Sequence, residues 1–251
     1  MLPFPRYGVS MPRVARIVIT GNEHHVTQRG NNRQAVFFTE DDYRAYLGFL
    51  KEQAALCSLR IVAYCLMPNH VHLVAIPPDA SSLAKAVGCT HCLYAQHINR
   101  LHGRSGHLWQ NRFHSCVLGD SHLANAMIYV ERNPARARMV RRAWLYPWSS
   151  AAAHVTGSDP TGILDLAAWR IRPADWRQLL QQREDGAFLS AIRTQTCTGR
   201  PLATDSTLSK LEALLNKRLR PLPIGRPRKS KGPKSSTSGG GQRGMRGSGN
   251  R

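Results

Sequence analysis

Two histidines separated by one apolar residue, His70 and His72, are the side chains of this sequence best placed to bind a divalent cation. They follow an apolar run and the pair Pro68–Asn69, a pattern typical of a strand–turn–strand hairpin. In a β-strand, residues two apart point to the same face, so both imidazoles would project from one side of a sheet. A rigid strand that presents two imidazoles suits a catalytic metal, although the same triplet also occurs as structural histidines.

A tyrosine and an amide four residues apart, Tyr129 and Asn133, form the second candidate group. Their segment has helical apolar spacing, and positions i and i+4 share a helix face, so both side chains would point together at the sheet. A tyrosine hydroxyl beside a metal-bound phosphate is the arrangement needed for nucleophilic attack on a phosphodiester. The alternative for Tyr129 is a packing role in an amphipathic helix.

Apolar periodicity predicts the order β-α-β-β-α-β followed by a helix. The predicted elements are strands over 14–20 and 25–28, a helix over 40–57, a hairpin of 59–66 and 70–76, a helix capped by Ser81 or Ser82 and running to about 101, a strand over 112–118, and a helix from Asp120 or Ser121 to about Asn133. This order is typical of the α+β ferredoxin-like split β-α-β fold, an antiparallel sheet with two helices on one face. We expect His70 and His72 on an inner strand and the opposite face of the sheet open for a ligand.

Composition divides the chain into three parts. Residues 11–157 contain the elements above and are predicted to form the main domain. Residues 158–228 are predicted to form a small helical, basic appendage. Residues 229–251 are rich in Gly, Ser, Lys and Arg, which predicts a disordered basic tail.

The charge of the chain predicts a polyanionic partner. Lys and Arg outnumber Asp and Glu by 35 to 15, giving a formal charge of +20. Residues 217–251 hold 11 of the basic residues and no acidic one, which leaves +9 on the rest. Nucleic acid is favoured over an anionic membrane surface. No apolar run reaches membrane-span length, and six scattered cysteines suit a reducing compartment, so we expect a cytoplasmic protein with no membrane partner.

Five segments occur in a fixed order along the chain and carry a family resemblance. They are HVTQRG (25–30), LMPNHVHL (66–73), GHLWQNRF (106–113), YVERNP (129–134) and YPWSS (146–150). Together they resemble the REP-associated tyrosine transposases, members of the single-tyrosine branch of the His-hydrophobic-His (HUH) endonucleases and transposases. The resemblance spans about residues 11–157 and implies a ferredoxin-like catalytic domain, in agreement with the element count.

The resemblance also implies a role for each candidate residue. His70 and His72 match the family's metal pair, Asn133 its third metal-coordinating position and Tyr129 its nucleophile, with Mg²⁺ or Mn²⁺ as the cofactor. The implied reaction nicks single-stranded DNA near palindromic repeats that fold into hairpins. It leaves a 5′-phosphotyrosine link and a free 3′-hydroxyl, and reversal rejoins strands. Single-stranded and hairpin DNA are therefore the expected partners, for a monomer or a homodimer.

Basic side chains that could track the phosphates of such DNA are spread along the sequence. The candidates are Arg29, Arg33, Arg104, Arg112, Arg136 and Arg138, together with Arg226 and Arg228 of a Gly-Arg-Pro-Arg stretch that looks like a minor-groove AT-hook. Two alternatives to the transposase remain open. One is a non-catalytic hairpin-DNA-binding regulator derived from a transposase, and the other is a metal phosphodiesterase that uses water, with Tyr129 only packing.

Overall fold

The computed structural model describes residues 16–119, 122–168 and 173–221, and its centre is a four-stranded antiparallel sheet. The strands are β1 (His24–Arg29), β2 (Arg60–Met67), β3 (His70–Ile76) and β4 (His114–Val117). They lie in the order β2-β3-β1-β4. This order, with helices after the first and third strands, is that of the ferredoxin-like split β-α-β unit and confirms the predicted fold class.

Within the described ranges, eight α-helices accompany the sheet. They are α1 (Glu40–Leu56), α2 (Ser82–Leu101), α3 (Leu123–Glu131), α4 (Asn133–Arg136), α5 (Ala151–Thr156), α6 (Pro173–Leu179), α7 (Gly186–Thr198) and α8 (Asp205–Leu215). The long helices α1 and α2 cover one face of the sheet, as expected, and bury Tyr46, Leu50 and Tyr94 against it. Because Tyr94 and Tyr46 are fully buried, this face is a closed apolar core.

The start of α2 differs from the prediction. Neither Ser81 nor Ser82 caps the helix with its side chain. Instead, the Asp79 carboxylate accepts the backbone N–H groups of Ser81 and Ser82 at 2.7 and 2.9 Å. A carboxylate accepts these N–H groups more strongly than a hydroxyl does and also complements the positive helix N-terminus.

The second face of the sheet is covered, so the expectation of an open face is wrong for the described residues. Helices α3, α5, α6 and α7 pack over it and bury Met127, Trp176 and Ile192 completely. The physical reason lies in β3, where Val74 and Ile76 are apolar on this face while their neighbours are apolar on the other. A strand that is apolar on both faces needs a cover on both.

The predicted strand over 14–20 is also wrong where it is described. Residues 16–19 have no regular structure and lead into a turn at Gly21, which has a φ of +77°. Ile19 packs with Val117, Leu211 and Leu219 in a small third core. Residues 16–19 therefore lie along β4, with Arg16 bonded to the Phe113 carbonyl and Ile19 packed on Val117, and add no strand to the sheet.

Later segments close both edges of the sheet. Leu202 exchanges backbone hydrogen bonds with Val117 and Gly119 beside β4, at 2.8 Å each. On the other edge, Leu66 of β2 donates its N–H to the Trp148 carbonyl, and Tyr146 donates its hydroxyl to the Leu66 carbonyl. Edge strands covered in this way offer no free row of hydrogen-bonding groups to another chain.

A buried carboxylate at the end of α3 fixes this helix to the second face. Glu131 is completely buried, and its oxygens accept hydrogen bonds from Ser150 Oγ at 2.5 Å, His154 Nδ1 at 2.5 Å and Trp176 Nε1 at 2.8 Å. These three donors come from the start of α5, from α5 itself and from α6. One side chain thus joins three helices.

In the part of the chain that the structure describes, no helix is long and apolar enough to cross a membrane.

Replacing Glu131 by Leu should destabilise the fold strongly, because three buried donors would lose their acceptor. Removing one partner of a buried charged network costs about 3–5 kcal/mol, so we expect a fall of that order in the free energy of unfolding, measured by urea denaturation. The matched control is Glu52→Leu, since Glu52 is exposed on α1. Equal stability of the two variants would contradict the role of Glu131.

Candidate active site

Three histidines form a row on the second face of the sheet, the face covered by α3, α5, α6 and α7. The pairing of β1 with β3 sets Thr27 opposite His72 and Arg29 opposite His70, which places His25 on the same face one step further along. His25 Nε2 lies 3.0 Å from His72 Nδ1, and the ring centroids of His70 and His72 are 4.9 Å apart. We call His25, His70 and His72 the histidine row. The two residues that the sequence singled out are therefore neighbours, and His25 joins them.

The environment keeps these rings neutral. Burial, followed by the charges of Arg29 and Arg136, lowers the pKa of His70 to about 4. Burial also lowers the pKa of His72 well below its ordinary value and that of His25 to about 3. A neutral imidazole has a lone pair, which is the form that binds a metal.

The histidine pair fits a divalent cation through its Nε2 atoms. His70 Nδ1 lies 2.6 Å from Asn69 Oδ1, and since an amide oxygen only accepts, His70 carries its proton on Nδ1. Its Nε2 is then free to coordinate. Within the described residues, no group of three or more His, Cys, Asp or Glu side chains could hold a metal ion. A cation here would therefore need oxygen ligands from an amide, a phosphate or water beside the two imidazoles.

The structure brings Tyr129 to two members of the histidine row, His25 and His72. Tyr129 lies on α3 and is 6% exposed, and its ring makes edge contacts with His25 and His72, with centroids 5.6 Å apart in each case. The guanidinium of Arg136 lies over the same ring, 4.7 Å from its centroid. A hydroxyl-bearing ring and two neutral imidazoles thus meet where α3 crosses β3.

Asn133 has a different local setting from the one predicted. Helix α3 ends at Glu131, and Asn133 opens the short helix α4 instead of ending α3. Pro134 has no N–H for the Val130 carbonyl, the acceptor four residues earlier. The Asn133 amide nitrogen takes that place and donates to the carbonyls of Val130 and Tyr129, at 3.1 Å each. Its oxygen accepts from Arg136 at 2.8 Å.

Arg136 makes polar contacts that hold residues 129–133, which we call the tyrosine segment. We call this set of contacts the clamp. Besides Asn133, it donates to the Tyr129 carbonyl at 3.0 Å and forms an ion pair with Glu184. Glu184 lies between α6 and α7. The clamp ties the tyrosine segment to residues that come about fifty positions later in the chain.

The remaining candidate arginines are exposed where they are described. These are Arg29, Arg33, Arg104, Arg112 and Arg138, whereas Arg226 and Arg228 lie outside the described residues. Arg112 lines a cleft of about 950 Å³ together with Arg16, Asn111, His114 and Thr198. Trp109 also borders this cleft but is 8% exposed and donates its indole N–H to the His91 carbonyl, in keeping with a packing role.

Sequence reasoning missed three residues of this site. His25 stands within a segment that was singled out, and the alternation of His25, Thr27 and Arg29 in β1 was a usable signal for a shared face. Thr196, whose hydroxyl lies 2.7 Å from His25 Nδ1, and Glu184 have no such signal. Both reach the site only through the packing of helices distant in sequence.

Comparisons with known proteins give one family-model match and several matches to solved structures. Residues 19–133 match the family model described as "Transposase IS200 like". No curated protein matches the chain significantly. A structure of a REP-associated tyrosine transposase bound to a REP hairpin is 19% identical with a TM-score of 0.48, and the match covers 66% of this chain and 94% of that one. A protein of Deinococcus radiodurans R1 assigned to the transposases is 22% identical with a TM-score of 0.32, covering 53% and 97%.

Residues 19–133 hold the whole sheet, helices α1 to α3, the histidine row and Tyr129. The match to the IS200-like transposase model is confined to this segment, which is less than half of the chain. It points to the same family as the tyrosine-transposase resemblance seen in the sequence.

The Asn133 amide should stabilise the protein without any metal, because it replaces the N–H that Pro134 lacks. We expect Asn133→Ala to lower the free energy of unfolding by about 1–2 kcal/mol in EDTA, the usual cost of lost buried hydrogen bonds. In a Pro134→Ala background the new N–H can reach the Val130 carbonyl, so the same substitution should cost clearly less. Urea denaturation of the four proteins gives the coupling energy. Identical costs in both backgrounds would refute this role.

Proposed function

We propose that the protein is a metal-dependent DNA transposase that nicks single-stranded DNA through a 5′-phosphotyrosine intermediate on Tyr129. The observation that carries the proposal is the contact of the Tyr129 ring with His72, in a row of neutral imidazoles. Nucleophilic attack on a metal-bound phosphate requires a tyrosine next to side chains that can hold the metal. The contact therefore favours chemistry at a phosphate.

Each side chain has a defined task in the proposed reaction. His70 and His72 would hold Mg²⁺ or Mn²⁺ through Nε2, and the family resemblance implies Asn133, whose oxygen accepts from Arg136, as a further oxygen ligand. The cation supplies charge withdrawal and orientation at the scissile phosphate. The Tyr129 oxygen attacks phosphorus and loses its proton, the bond to the 3′ oxygen breaks, and that oxygen leaves as a 3′-hydroxyl after taking up a proton. The bond energy stays in the phosphotyrosine, so reversal can rejoin strands without a nucleotide cofactor.

The proposed substrate is hairpin DNA with a single-stranded flank, as the family resemblance implies. Arg29 supports this best, because it is exposed, lies opposite His70 in the register and faces the same side as the histidine row. Arg112 and Arg16 give the cleft beside β4 a positive lining that suits a phosphate backbone. We further propose that residues 158–228, with Arg226 and Arg228, hold duplex DNA, that residues 229–251 add a basic tail, and that the protein acts in the cytoplasm.

A covalent-adduct assay tests the proposal. Purified full-length protein is mixed with 3′-end-labelled single-stranded hairpin DNA from the flanks of its own gene, with Mg²⁺ or EDTA, and separated on a denaturing gel. We expect a protein–DNA band that requires Mg²⁺ and that is lost in Tyr129→Phe, in His70→Ala and in His72→Ala. The matched control is Tyr43→Phe, because Tyr43 is a half-buried tyrosine on α1, across the sheet.

The other outcomes identify the alternatives. Cleavage without an adduct, unchanged in Tyr129→Phe, would show a phosphodiesterase that uses water. Binding of hairpins without cleavage, on a substrate set that includes the correct repeat, would show a hairpin-binding regulator. Either result would contradict the proposal.

Arg29 should contribute a phosphate contact to DNA binding. We expect Arg29→Gln to weaken binding of the single-stranded flank and to reduce the slope of log K against log salt by about 0.7, the value for one phosphate contact on a single strand. The control is Arg44→Gln, since Arg44 is paired with Glu40 and Asp41 on α1. Fluorescence anisotropy over a salt series measures both. A slope equal to that of wild type would show that Arg29 does not contact a DNA phosphate.

A further inference from the structure

His25 is a buried member of the histidine row to which the proposed reaction gives no task. It is 1% exposed and uses both ring nitrogens, Nε2 at 3.0 Å from His72 Nδ1 and Nδ1 at 2.7 Å from Thr196 Oγ1. Thr196 is also 1% exposed and lies 3.2 Å from Cys116 Sγ. The four side chains form one buried hydrogen-bond chain that ends at a candidate metal ligand.

The hydrogen bond between the His25 and His72 rings can run in either of two directions. A neutral imidazole carries one N–H, so one proton lies between His72 Nδ1 and His25 Nε2. If His72 donates, its Nε2 has a free lone pair and can bind a cation. If His25 donates, His72 must carry its proton on Nε2 and cannot bind. The direction of this hydrogen bond therefore decides whether His72 can act as a ligand.

The strand register places His25 beside His72. His25 lies opposite Val74, one same-face step beyond His72, while Arg29 and His70 form the pair on the other side of His72. The ring of His72 turns its Nδ1 toward His25. Nε2 is then the ring nitrogen left for a cation shared with His70.

The other end of the hydrogen-bond chain, at Cys116, favours donation by His72 to His25. When His72 donates to His25, His25 carries its proton on Nδ1 and donates to Thr196 Oγ1, and the threonine hydroxyl is free to donate onward to Cys116 Sγ. In the reverse direction Thr196 would donate to His25, and its contact with Cys116 would have to be made by the thiol, which is a weak hydrogen-bond donor. Burial raises the pKa of Cys116 to about 12, so this thiol stays protonated.

We infer that His25 is a positioning residue that holds His72 with its proton on Nδ1 and its Nε2 free for the cation, and that Thr196 orients His25. The identity of His72 as a ligand rests on the proposed function, whereas the direction of the hydrogen-bond chain does not. Thr196 belongs to α7, so a residue beyond position 157 completes the support of the metal pair.

The tautomer of His72 can be read directly in the metal-free protein. Full-length protein labelled with ¹⁵N-histidine in EDTA gives long-range ¹H–¹⁵N correlations that distinguish protonated from unprotonated ring nitrogens, and the His72→Gln variant assigns the signals. We expect wild-type His72 to be protonated at Nδ1. His25→Gln, which offers an amide oxygen near the position of Nε2, should keep this tautomer. His25→Phe should give a mixture. Wild-type His72 protonated at Nε2, or an unchanged tautomer in His25→Phe, would overturn the inference.

Affinity for Mn²⁺ alone, measured by calorimetry without DNA, is the second readout. We expect His25→Phe to lose about tenfold to hundredfold in affinity, the usual effect of removing a residue that orients a metal ligand. Thr196→Val should lose less, and Thr196→Ser should match wild type. The control is His91→Gln, because His91 is equally buried but bonds to Tyr46 on the other face of the sheet. Equal losses in His91→Gln and His25→Phe would show a structural effect only.

The two proposals can fail separately. An absent phosphotyrosine adduct together with His72 protonated at Nδ1 would refute the proposed reaction and leave the role of His25 intact. A normal adduct together with His72 protonated at Nε2 would do the opposite. If His25→Phe does not fold, the wild-type tautomer and the pair Thr196→Val and Thr196→Ser decide the question.

Discussion

The antiparallel pairing of β1 with β3 is the constraint on which the candidate site depends. Its register sets Arg29 opposite His70 and Thr27 opposite His72, and so places His25, Arg29, His70 and His72 on one face of two inner strands. A shift of one residue would turn the entire row of one strand into the opposite core. The register is held because the intervening residues, such as Val26 and Val71, are fully buried under α1 and α2. Packing on the first face of the sheet thus fixes the positions of the candidate site residues on the second face.

Tyr129 is held beside the histidine row by a second set of contacts, all of them between polar groups. Glu131 binds donors from α5 and α6, the Asn133 amide replaces the N–H that Pro134 lacks, and Arg136 joins this segment to Glu184. Because buried polar groups cost free energy unless they are paired, each contact fixes the position of its partner as well as contributing stability. The helix that carries Tyr129 is therefore held at both ends of its last turn by residues up to about fifty positions away.

Local patterns in the sequence were sufficient for the four strands of the sheet and for the shared face of His70 and His72. The Pro68–Asn69 turn and the alternation after it predicted the strand of His70 and His72 and their shared face, and the order of elements predicted the fold. The covered face was not predictable in the same way, because Trp176 and Ile192 come from helices with weak patterns whose docking depends on tertiary contacts. Thr196 and Glu184 lie beyond local reasoning for the same reason. Asp79 displaced the predicted cap of α2 because a stronger acceptor lay two residues earlier.

The central claim is that Tyr129 becomes covalently joined to DNA, and peptide mapping of the adduct tests it most directly. Trypsin should release residues 113–132 as one peptide, in which Tyr129 is the single tyrosine. After the reaction with hairpin DNA in Mg²⁺ and nuclease digestion, mass spectrometry should find a nucleotide on this peptide, with the fragment spectrum placing it on Tyr129. A nucleotide on another peptide, or cut DNA with no modified peptide, would contradict the account.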